Sequence, residues 1–383
     1  MKKLLQTAVL AITVAGVQAQ SDAVIINGHV SGETKGFNKI FYYAGGSGLD
    51  SAVISNGAFT VRLPFSKTFT ELFYTEYEYR GGNGAMRGYR PFPILLDKPA
   101  TISISFDIAK GFYGSEIKGS PTAITFNEFL QQQNVVYGKI TETMKQLYPS
   151  SGNGGVMRSS HGGDDKMSMS RDSLTKIYMG GMIRDFVKAH PDNFVGAYVL
   201  DGIAKSAMTV DQMREAYGYL SPTIQQSQQG QKVAAYIKGL QNAVIGKQAG
   251  NFVLTDAEGK SFSFSQLKGK YVWVDFWASW CGPCKAAFPK MRELYAKYKD
   301  KNFEIVGVST DETKAPWLKA VNQFKNPWPQ VWDNKTVANE FAVAAYPTGF
   351  LIDPDGKIIV KEVGFEPAAA DGIAKKLEEI FSK

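Results

Sequence analysis

The sequence predicts a multidomain chain with a small antiparallel β domain, a helical middle segment and a C-terminal α/β domain. Short β-branched and aromatic runs, several with period-two alternation, occupy residues 20–110. Apolar residues at three- to four-residue spacing follow in residues 111–245. Strand-like and helix-like runs alternate over residues 246–383, as expected for a sheet with helices on both faces. A chain of 383 residues is long enough for two or three domains.

Composition places the chain among ordinary globular proteins. Apolar residues make up 44% and charged residues 21%, which excludes disordered, collagen-like and coiled-coil chains. The formal net charge of +7 is only weak support for a nucleic-acid partner.

Residues 1–19 have the pattern of a secretory signal peptide. Lys2 and Lys3 precede an apolar run that is too short to span a bilayer, and small residues precede a cleavage point after Ala19. No Cys lies near that point, so lipid attachment is not expected. We therefore expect a periplasmic protein that is not membrane-spanning after cleavage, and export argues further against a nucleic-acid partner.

The β domain is predicted from five short runs and one turn. Asn56-Gly57 lies between two of the runs and predicts a tight hairpin turn. The Tyr-rich stretch 73–79 is interpreted as an amphipathic strand and loop rather than a ligand site. The predicted strands cover residues 24–26, 39–43, 59–63, 72–74 and 101–106.

The middle segment carries its own helix boundaries. Ser120-Pro121 predicts a helix start and His190-Pro191 a helix stop. Residues 150–165 are rich in Gly, Ser and Asp and predict a mobile loop between helices.

The C-terminal domain is predicted to begin with a strand and to close with a helix. The nearly continuous apolar run 271–276 is typical of a central buried strand. Further strands are predicted at 252–254, 303–308, 349–352 and 357–360, and helices at 283–299, 317–324 and 368–381.

The two cysteines, Cys281 and Cys284, join the buried strand to the following helix. A structural disulfide across so short a loop would remove little conformational entropy from the unfolded chain, so a redox pair is the better interpretation. Unpaired N–H groups at the helix start stabilise a thiolate, which lowers the pKa of Cys281 below the free value of about 8.5. Gly282 permits the tight turn, and Pro283 suits an early helical position.

This arrangement predicts a mechanism of thiol–disulfide exchange. Cys281 attacks a substrate disulfide, and Cys284 then attacks Cys281 and releases the reduced substrate. Asp275, buried behind the pair, would have a raised pKa and accept the proton of Cys284. We expect no metal and no cofactor other than the redox-active disulfide.

The run from Val274 to Lys285 resembles the active site of thioredoxin, and residues 246–383 resemble the exported TlpA/ResA-type branch of that family. The resemblance implies a thioredoxin fold and a cis Pro347. It also implies that the backbone of Tyr346 pairs with an extended substrate segment. Trp280 is expected to form a wall beside the sulfurs. Predicted substrate-binding residues are Trp280, Gly282, Pro283, Tyr346 and Pro347.

Two further comparisons qualify the resemblance. Apocytochrome reductases of this branch tend to carry Glu three residues after the second cysteine, where this chain has Ala287. The runs Asp50–Val53 and Asn56–Val61 resemble the DUF4369-like domain that precedes such modules in Bacteroidetes, a domain to which no catalytic role attaches.

The predicted function is reduction of protein disulfides, because Gly282-Pro283 between the cysteines resembles the reducing members of the family. Reduction outside the cytoplasm implies a membrane thiol-electron donor. A peroxiredoxin-like peroxidase is one alternative, although those proteins place a Thr where this chain has Ala278. A non-enzymatic partner-binding protein with a vestigial redox pair is the other.

Overall fold

The structure, a computed structural model, describes residues 23–43, 49–65, 69–80, 91–149, 165–364 and 371–382. The predicted signal peptide and the predicted loop 150–165 lie outside these ranges, apart from the last residue of the loop. The described chain divides into two compact units, residues up to 174 with 193–195, and residues 175–192 with 196–383. None of the described helices is long and apolar enough to cross a membrane.

The first unit contains two four-stranded sheets, ordered β4-β1-β7-β8 and β3-β2-β5-β6. Seven of the strands lie in the predicted β region, and all neighbours pair antiparallel except β1 and β7. The strands are β1 (Ala23–Ser31), β2 (Lys39–Tyr43), β3 (Leu49–Val53), β4 (Ala58–Pro64), β5 (Phe69–Thr75), β6 (Phe92–Leu96), β7 (Thr101–Asp107) and β8 (Glu116–Lys118).

Local chemistry explains the strand boundaries in this unit. Strand β4 buries every second side chain, as its period-two sequence predicts. Asn56 and Gly57 both have positive φ, the geometry that a two-residue hairpin turn requires. Strand β8 extends the β unit beyond residue 110, where the sequence placed its end. Residues 76–80, predicted as strand and loop, form the short helix α1 (Glu76–Arg80), which Glu78 stabilises by accepting hydrogen bonds from Thr75.

Helices fill the middle of the chain, as predicted. The Ser120 side chain accepts from the N–H of Ala123 and caps the first long helix, and the helix before His190 ends at Ala189. These helices are α2 (Pro121–Leu147), α3 (Asp165–Leu174), α4 (Gly180–Ala189), α5 (Phe194–Asp201), α6 (Ala204–Ala207), α7 (Val210–Tyr219), α8 (Pro222–Gln226) and α9 (Gln228–Asn242), with a π-helical turn at Thr175–Met179.

The second unit is built on a seven-stranded mixed sheet in the order β10-β9-β13-β12-β11-β14-β15. Strands β11, β12 and β13 are parallel, and the outer strands are antiparallel to their neighbours. The strands are β9 (Val253–Asp256), β10 (Ser261–Ser263), β11 (Tyr271–Trp277), β12 (Phe303–Ser309), β13 (Gln330–Trp332), β14 (Thr348–Ile352) and β15 (Ile358–Val363).

Hydrophobic clusters cover both faces of this sheet, and alternate residues of β11 supply them. Val272, Val274 and Phe276 belong to one cluster, and Trp273 and Trp277 to the other. The covering helices are α10 (Gly282–Tyr298), α11 (Lys314–Phe324), α12 (Thr336–Glu340) and α13 (Asp371–Phe381). This is the thioredoxin-like architecture that the sequence predicts for its C-terminal part.

Part of the helical segment belongs to the same compact unit as the sheet. Lys205 Nζ lies 2.7 Å from Asp201 Oδ1 and 2.7 Å from Asn339 Oδ1, and the first two side chains are at least nine-tenths buried. A buried ammonium group is tolerated only when it is paired in this way. The sequence placed the domain boundary at residue 246, whereas the structure groups residues 175–192 and 196–245 with the sheet.

Candidate functional site

The two cysteines lie where β11 ends and α10 begins. Cys281 is the N-cap of α10, and its Sγ accepts a hydrogen bond from the Cys284 N–H at 3.1 Å. The two sulfurs form a disulfide of 2.02 Å with the Cα atoms 5.3 Å apart. Both residues are buried, Cys281 at 4% and Cys284 at 1% relative exposure. After reduction, the free N–H groups and positive dipole end of the helix favour a thiolate on Cys281.

The residues between the sulfurs form an exposed turn. Gly282 and Pro283 are both exposed, and Pro283 occupies the first turn of α10, where no N–H is needed. A Cβ on Gly282 would meet no atom within 4 Å, so the space above this turn is open. A partner can therefore approach the disulfide from this side.

Asp275 is the buried carboxylate on β11. It pairs with Gly307 on β12 and Gly349 on β14, and it is 4% exposed. Burial raises its pKa to about 7 because the charged form is poorly solvated there. The neighbouring same-face residues Trp273 and Trp277 pack in one cluster with both cysteines. Asp275 therefore faces the side of the sheet on which the disulfide lies.

Pro347 approaches the same region from the loop before β14. The Tyr346–Pro347 peptide bond is cis, the isomer that the resemblance implies. The Pro347 carbonyl accepts a hydrogen bond from the Gly364 N–H at 2.7 Å, which connects this loop to the end of β15. Asp275 and Pro347 line one cavity together, so the structure brings these two predicted site residues together.

Trp280 and Tyr346 form the aromatic surface next to the disulfide. Their ring centroids lie 5.7 Å apart in an edge-to-face arrangement with an interplanar angle of 87°. Trp280 is 63% exposed, whereas Tyr346 packs against both hydrophobic clusters. A large aromatic surface held in water beside a redox group is suited to contact with a partner.

Asp311 holds the loop that precedes Cys281, and sequence reasoning missed it. Its carboxylate accepts hydrogen bonds from the Ser279 N–H at 2.9 Å, the Ser279 hydroxyl at 2.6 Å and the Ser309 hydroxyl at 2.7 Å. The Thr310 N–H also donates to the Trp277 carbonyl at 2.9 Å. The sequence feature that could have indicated Asp311 is its position just beyond β12, at the sheet edge where the parallel strand β11 also ends.

The C-terminal part of the chain is similar in sequence to known proteins. Residues 245–361 match the AhpC/TSA family. The chain is 45% identical to the thiol-disulfide oxidoreductase ResA of Bacillus cereus over 121 residues, 31% of this chain and 70% of that protein. It is 42% identical to ResA of Bacillus anthracis over 135 residues, 35% of this chain and 78% of that protein.

One solved structure, the thioredoxin domain of a thiol-disulfide oxidoreductase from Bacteroides vulgatus, is 35% identical in sequence to this chain. The match covers 36% of this chain and 97% of the solved domain, with a TM-score of 0.33. The ResA matches extend over more than two thirds of each relative. The chain therefore belongs to the family of thioredoxin-like thiol-disulfide oxidoreductases.

Proposed function

We propose that the protein is an exported reductase of protein disulfides that works through the Cys281–Cys284 dithiol. The observation that carries the proposal is the position of Cys281 at the N-cap of α10, with the Cys284 N–H directed at its sulfur. An anionic sulfur at that position is stabilised by the helix, which makes Cys281 the attacking group. The dithiol itself carries the two electrons, so no separate cofactor takes part.

The reaction begins with the dithiol form. The Cys281 thiolate attacks one sulfur of the substrate disulfide, and the electron pair of the broken bond leaves on the other substrate sulfur. Cys284 then attacks Cys281, the intramolecular disulfide forms, and the second substrate thiolate departs. The substrate is reduced by two electrons and the protein is oxidised by two.

Asp275 is the base for the second step. Cys284 must lose its proton before it can attack, and a carboxylate with a pKa of about 7 is well matched to a thiol at neutral pH. Its burial on the same face of the sheet as the disulfide supports this role.

An extended segment of the substrate binds across the exposed surface beside the disulfide. Gly282 and Pro283 leave the approach to the sulfurs open, and Trp280 supplies an apolar wall against Tyr346. The backbone of Tyr346, just before the cis Pro347, pairs with this segment as with an added strand.

The remaining parts of the proposal concern location and electron supply. Residues 1–19 support export to the periplasm. Keeping the Cys281–Cys284 pair reduced there requires a membrane thiol-electron donor. Residues 20–110 are proposed to form a DUF4369-like domain, on the resemblance of Asp50–Val53 and Asn56–Val61.

Reduction of insulin disulfides by the full-length mature chain tests the function. We expect activity with dithiothreitol as donor, and Cys281→Ser should abolish it because the attacking sulfur is lost. Cys284→Ser, reduced and freed of dithiothreitol before it is mixed with the substrate, should instead accumulate a mixed disulfide between Cys281 and the substrate, visible by mass spectrometry. Full insulin reduction by Cys281→Ser would contradict the proposal.

A further inference from the structure

A buried polar network joins the helical segment of the second unit (residues 196–245) to α12. Lys205 Nζ lies 2.7 Å from Asp201 Oδ1 and donates a hydrogen bond to Asn339 Oδ1 at 2.7 Å. The Asp201 carboxylate also accepts hydrogen bonds from the side-chain amides of Asn339 at 3.3 Å and Gln229 at 2.5 Å. The Lys205 ammonium group lies 4.7 Å from the centroid of the Tyr236 ring. Asn339 on α12 is therefore held by two charged side chains of the helical segment.

The network is largely shielded from water. Asn339 is 1% exposed, and the side chains of Lys205 and Asp201 are less than one-tenth exposed. An apolar contact at this place would stabilise the packing but would let one helix slide along the other. Buried hydrogen bonds have preferred directions and distances, so they fix the position of the groups that they join. The network therefore specifies where α12 lies.

Helix α9 approaches α12 closely beside this network. A Cβ on Gly239 of α9 would come too close to the carbonyl oxygens of Asn339 and Glu340, so the absence of a side chain permits this approach. Lys232, also on α9, donates a hydrogen bond from Nζ to the Asn334 carbonyl at 3.0 Å, just before α12 begins. Contacts from the helical segment thus reach both ends of α12.

The chain continues from α12 directly into the segment that carries Tyr346. The Ala342 N–H donates a hydrogen bond to the Asn339 carbonyl at 2.9 Å. The Val343 N–H donates to the Ala338 carbonyl, also at 2.9 Å. Ala338 and Val343 belong to the hydrophobic cluster against which Tyr346 packs. The position of α12 therefore sets the position of Tyr346, and with it one half of the aromatic surface next to the disulfide.

The cysteines themselves are held by other contacts. Cys281 caps α10, and Asp311 fixes the loop before Cys281 through its hydrogen bonds with Ser279. These contacts come from α10 and from the ends of β11 and β12, and not from α12 or the helical segment. A shift of α12 would therefore change the surface that receives a substrate more than it would change the reactivity of the Cys281 sulfur.

We propose that Lys205 is a positioning residue of the active site. Through Asn339 it holds α12, and α12 holds Tyr346 in the orientation that receives an extended segment of a protein substrate. The inference rests on the proposed function, and it gives the helical segment a part in substrate binding. Loss of the Lys205 ammonium group changes the affinity for a protein substrate and leaves the chemistry at Cys281 in place.

The first test is steady-state reduction of insulin by the full-length mature protein, with dithiothreitol as donor. Lys205→Met keeps an unbranched apolar side chain and removes the ammonium group. We expect KM for insulin to rise on the order of tenfold with little change in kcat. The rate with a small aromatic disulfide should stay at the wild-type value. An unchanged KM for insulin would overturn the proposal, and so would equal losses with both substrates.

Lys188→Met is the matched control for this test. Lys188 is an exposed lysine of α4 that lies over the Tyr219 ring, so its replacement also removes an ammonium group from an aromatic face. We expect this variant to reduce insulin as the wild type does. A rise in KM equal to that of Lys205→Met would show that the effect is not specific to the network, which contradicts the proposal.

Asn339→Ala removes the contact with α12 from the other side. Lys205 keeps its partner Asp201 in this variant, so no buried charge is left unpaired, and the variant decides the test if Lys205→Met does not fold. We expect KM for insulin to rise as in Lys205→Met. The double variant should be no worse than either single variant, because all three lack the same contact. Additive effects would overturn the proposal.

The second test is amide hydrogen exchange of the full-length oxidised protein, followed by mass spectrometry of peptides that cover residues 336–346. We expect the N–H groups of Ala342 and Val343 to exchange on the order of tenfold faster in Lys205→Met than in the wild type and the control variant. Unchanged protection of this segment would overturn the proposal. If the wild type reduces no insulin, the proposed function fails, and the exchange measurement still decides whether Lys205 holds the segment that carries Tyr346.

Discussion

The main-chain N–H of Cys284 donates a hydrogen bond to the Sγ of Cys281 at 3.1 Å, so the start of α10 supplies a donor to the sulfur that caps it. The same contact stabilises negative charge on Cys281 once the disulfide is opened, because a charge-assisted hydrogen bond is stronger than a neutral one. Cys284 lies one turn deeper and is 1% exposed. The two sulfurs therefore differ in reactivity although they are bonded to each other.

We expect alkylation of the reduced protein to be selective for Cys281. Iodoacetamide at pH 7 should modify Cys281 at least about tenfold faster than Cys284, because only the Cys281 sulfur lies at the N-cap of α10 and accepts a main-chain hydrogen bond there. Peptide mapping after timed quenching measures the ratio. Equal rates for the two cysteines would contradict the assignment of Cys281 as the attacking group.

Asp275 should make stability depend on pH. The Asp275 pKa is about 7 in the folded protein, whereas an ordinary aspartate, as in the unfolded chain, has a pKa of 3.8. At pH values between these two, the folded state therefore holds a proton that the unfolded state has released. The free energy of unfolding therefore falls as the pH rises from about 4 to about 7 and is constant above that range. The loss should amount to roughly 4 kcal/mol at most.

Asp275→Asn should remove this dependence. The variant should be more stable than the wild type at pH 8 and about equal to it at pH 4, as measured by urea unfolding of the oxidised protein. Asp355→Asn, at an exposed turn position, is the matched control and should behave as the wild type. A variant less stable than the wild type at pH 8 would show that Asp275 is not a strained buried carboxylate.

Asp311→Ala should disturb the active-site loop. The change leaves the Ser279 N–H and the Ser309 hydroxyl without their acceptor in a region where Asp311 is 1% exposed. We expect a loss of about 2–4 kcal/mol in stability and slower disulfide exchange. Ser279→Ala removes one of these hydrogen bonds and should have a smaller effect on both. Urea unfolding and single-turnover rates at pH 7 measure the two quantities, and an unperturbed exchange rate in Asp311→Ala would refute the positioning role.

Trp280→Ala should lower kcat/KM for large substrates more than for small ones. The exposed ring contacts Tyr346 edge-on and offers an apolar wall to a polypeptide, whereas a small aromatic disulfide needs only the sulfurs. We expect kcat/KM for a protein disulfide to fall by about tenfold, with little change for the small disulfide and in stability. Val363→Ala, at an exposed apolar residue of β15, is the control. Equal losses with both substrates would argue against a docking role.

The peroxidase alternative makes a different prediction. Cys281 is buried in a disulfide with Cys284, and Ala278 occupies the position where a peroxidase would carry a threonine. We therefore expect the reduced protein to consume hydrogen peroxide no faster than a free thiol of similar reactivity. Stopped-flow fluorescence of the active-site tryptophans follows the reaction, and rapid saturating oxidation by stoichiometric peroxide would favour the peroxidase.

The sequence by itself determined the features that depend on neighbouring residues. The cysteine pair at a strand-to-helix junction, the cap at Ser120 and the turn at Asn56-Gly57 are local, because backbone geometry and capping chemistry act over three or four residues. The long apolar run of β11 likewise predicted a central strand, since burial on both faces removes the polar alternation. The short strands β3, β6, β8, β10 and β13 and the helix α12 were missed.

Only the tertiary structure decided which distant residues meet. Asp311 reaches Ser279 because β11 and β12 pair in parallel and end at the same edge. Register between strands is set by the packing of whole faces and not by local sequence. The grouping of residues 175–192 and 196–245 with the sheet has the same origin, since it depends on contacts such as that of Lys205 with Asn339.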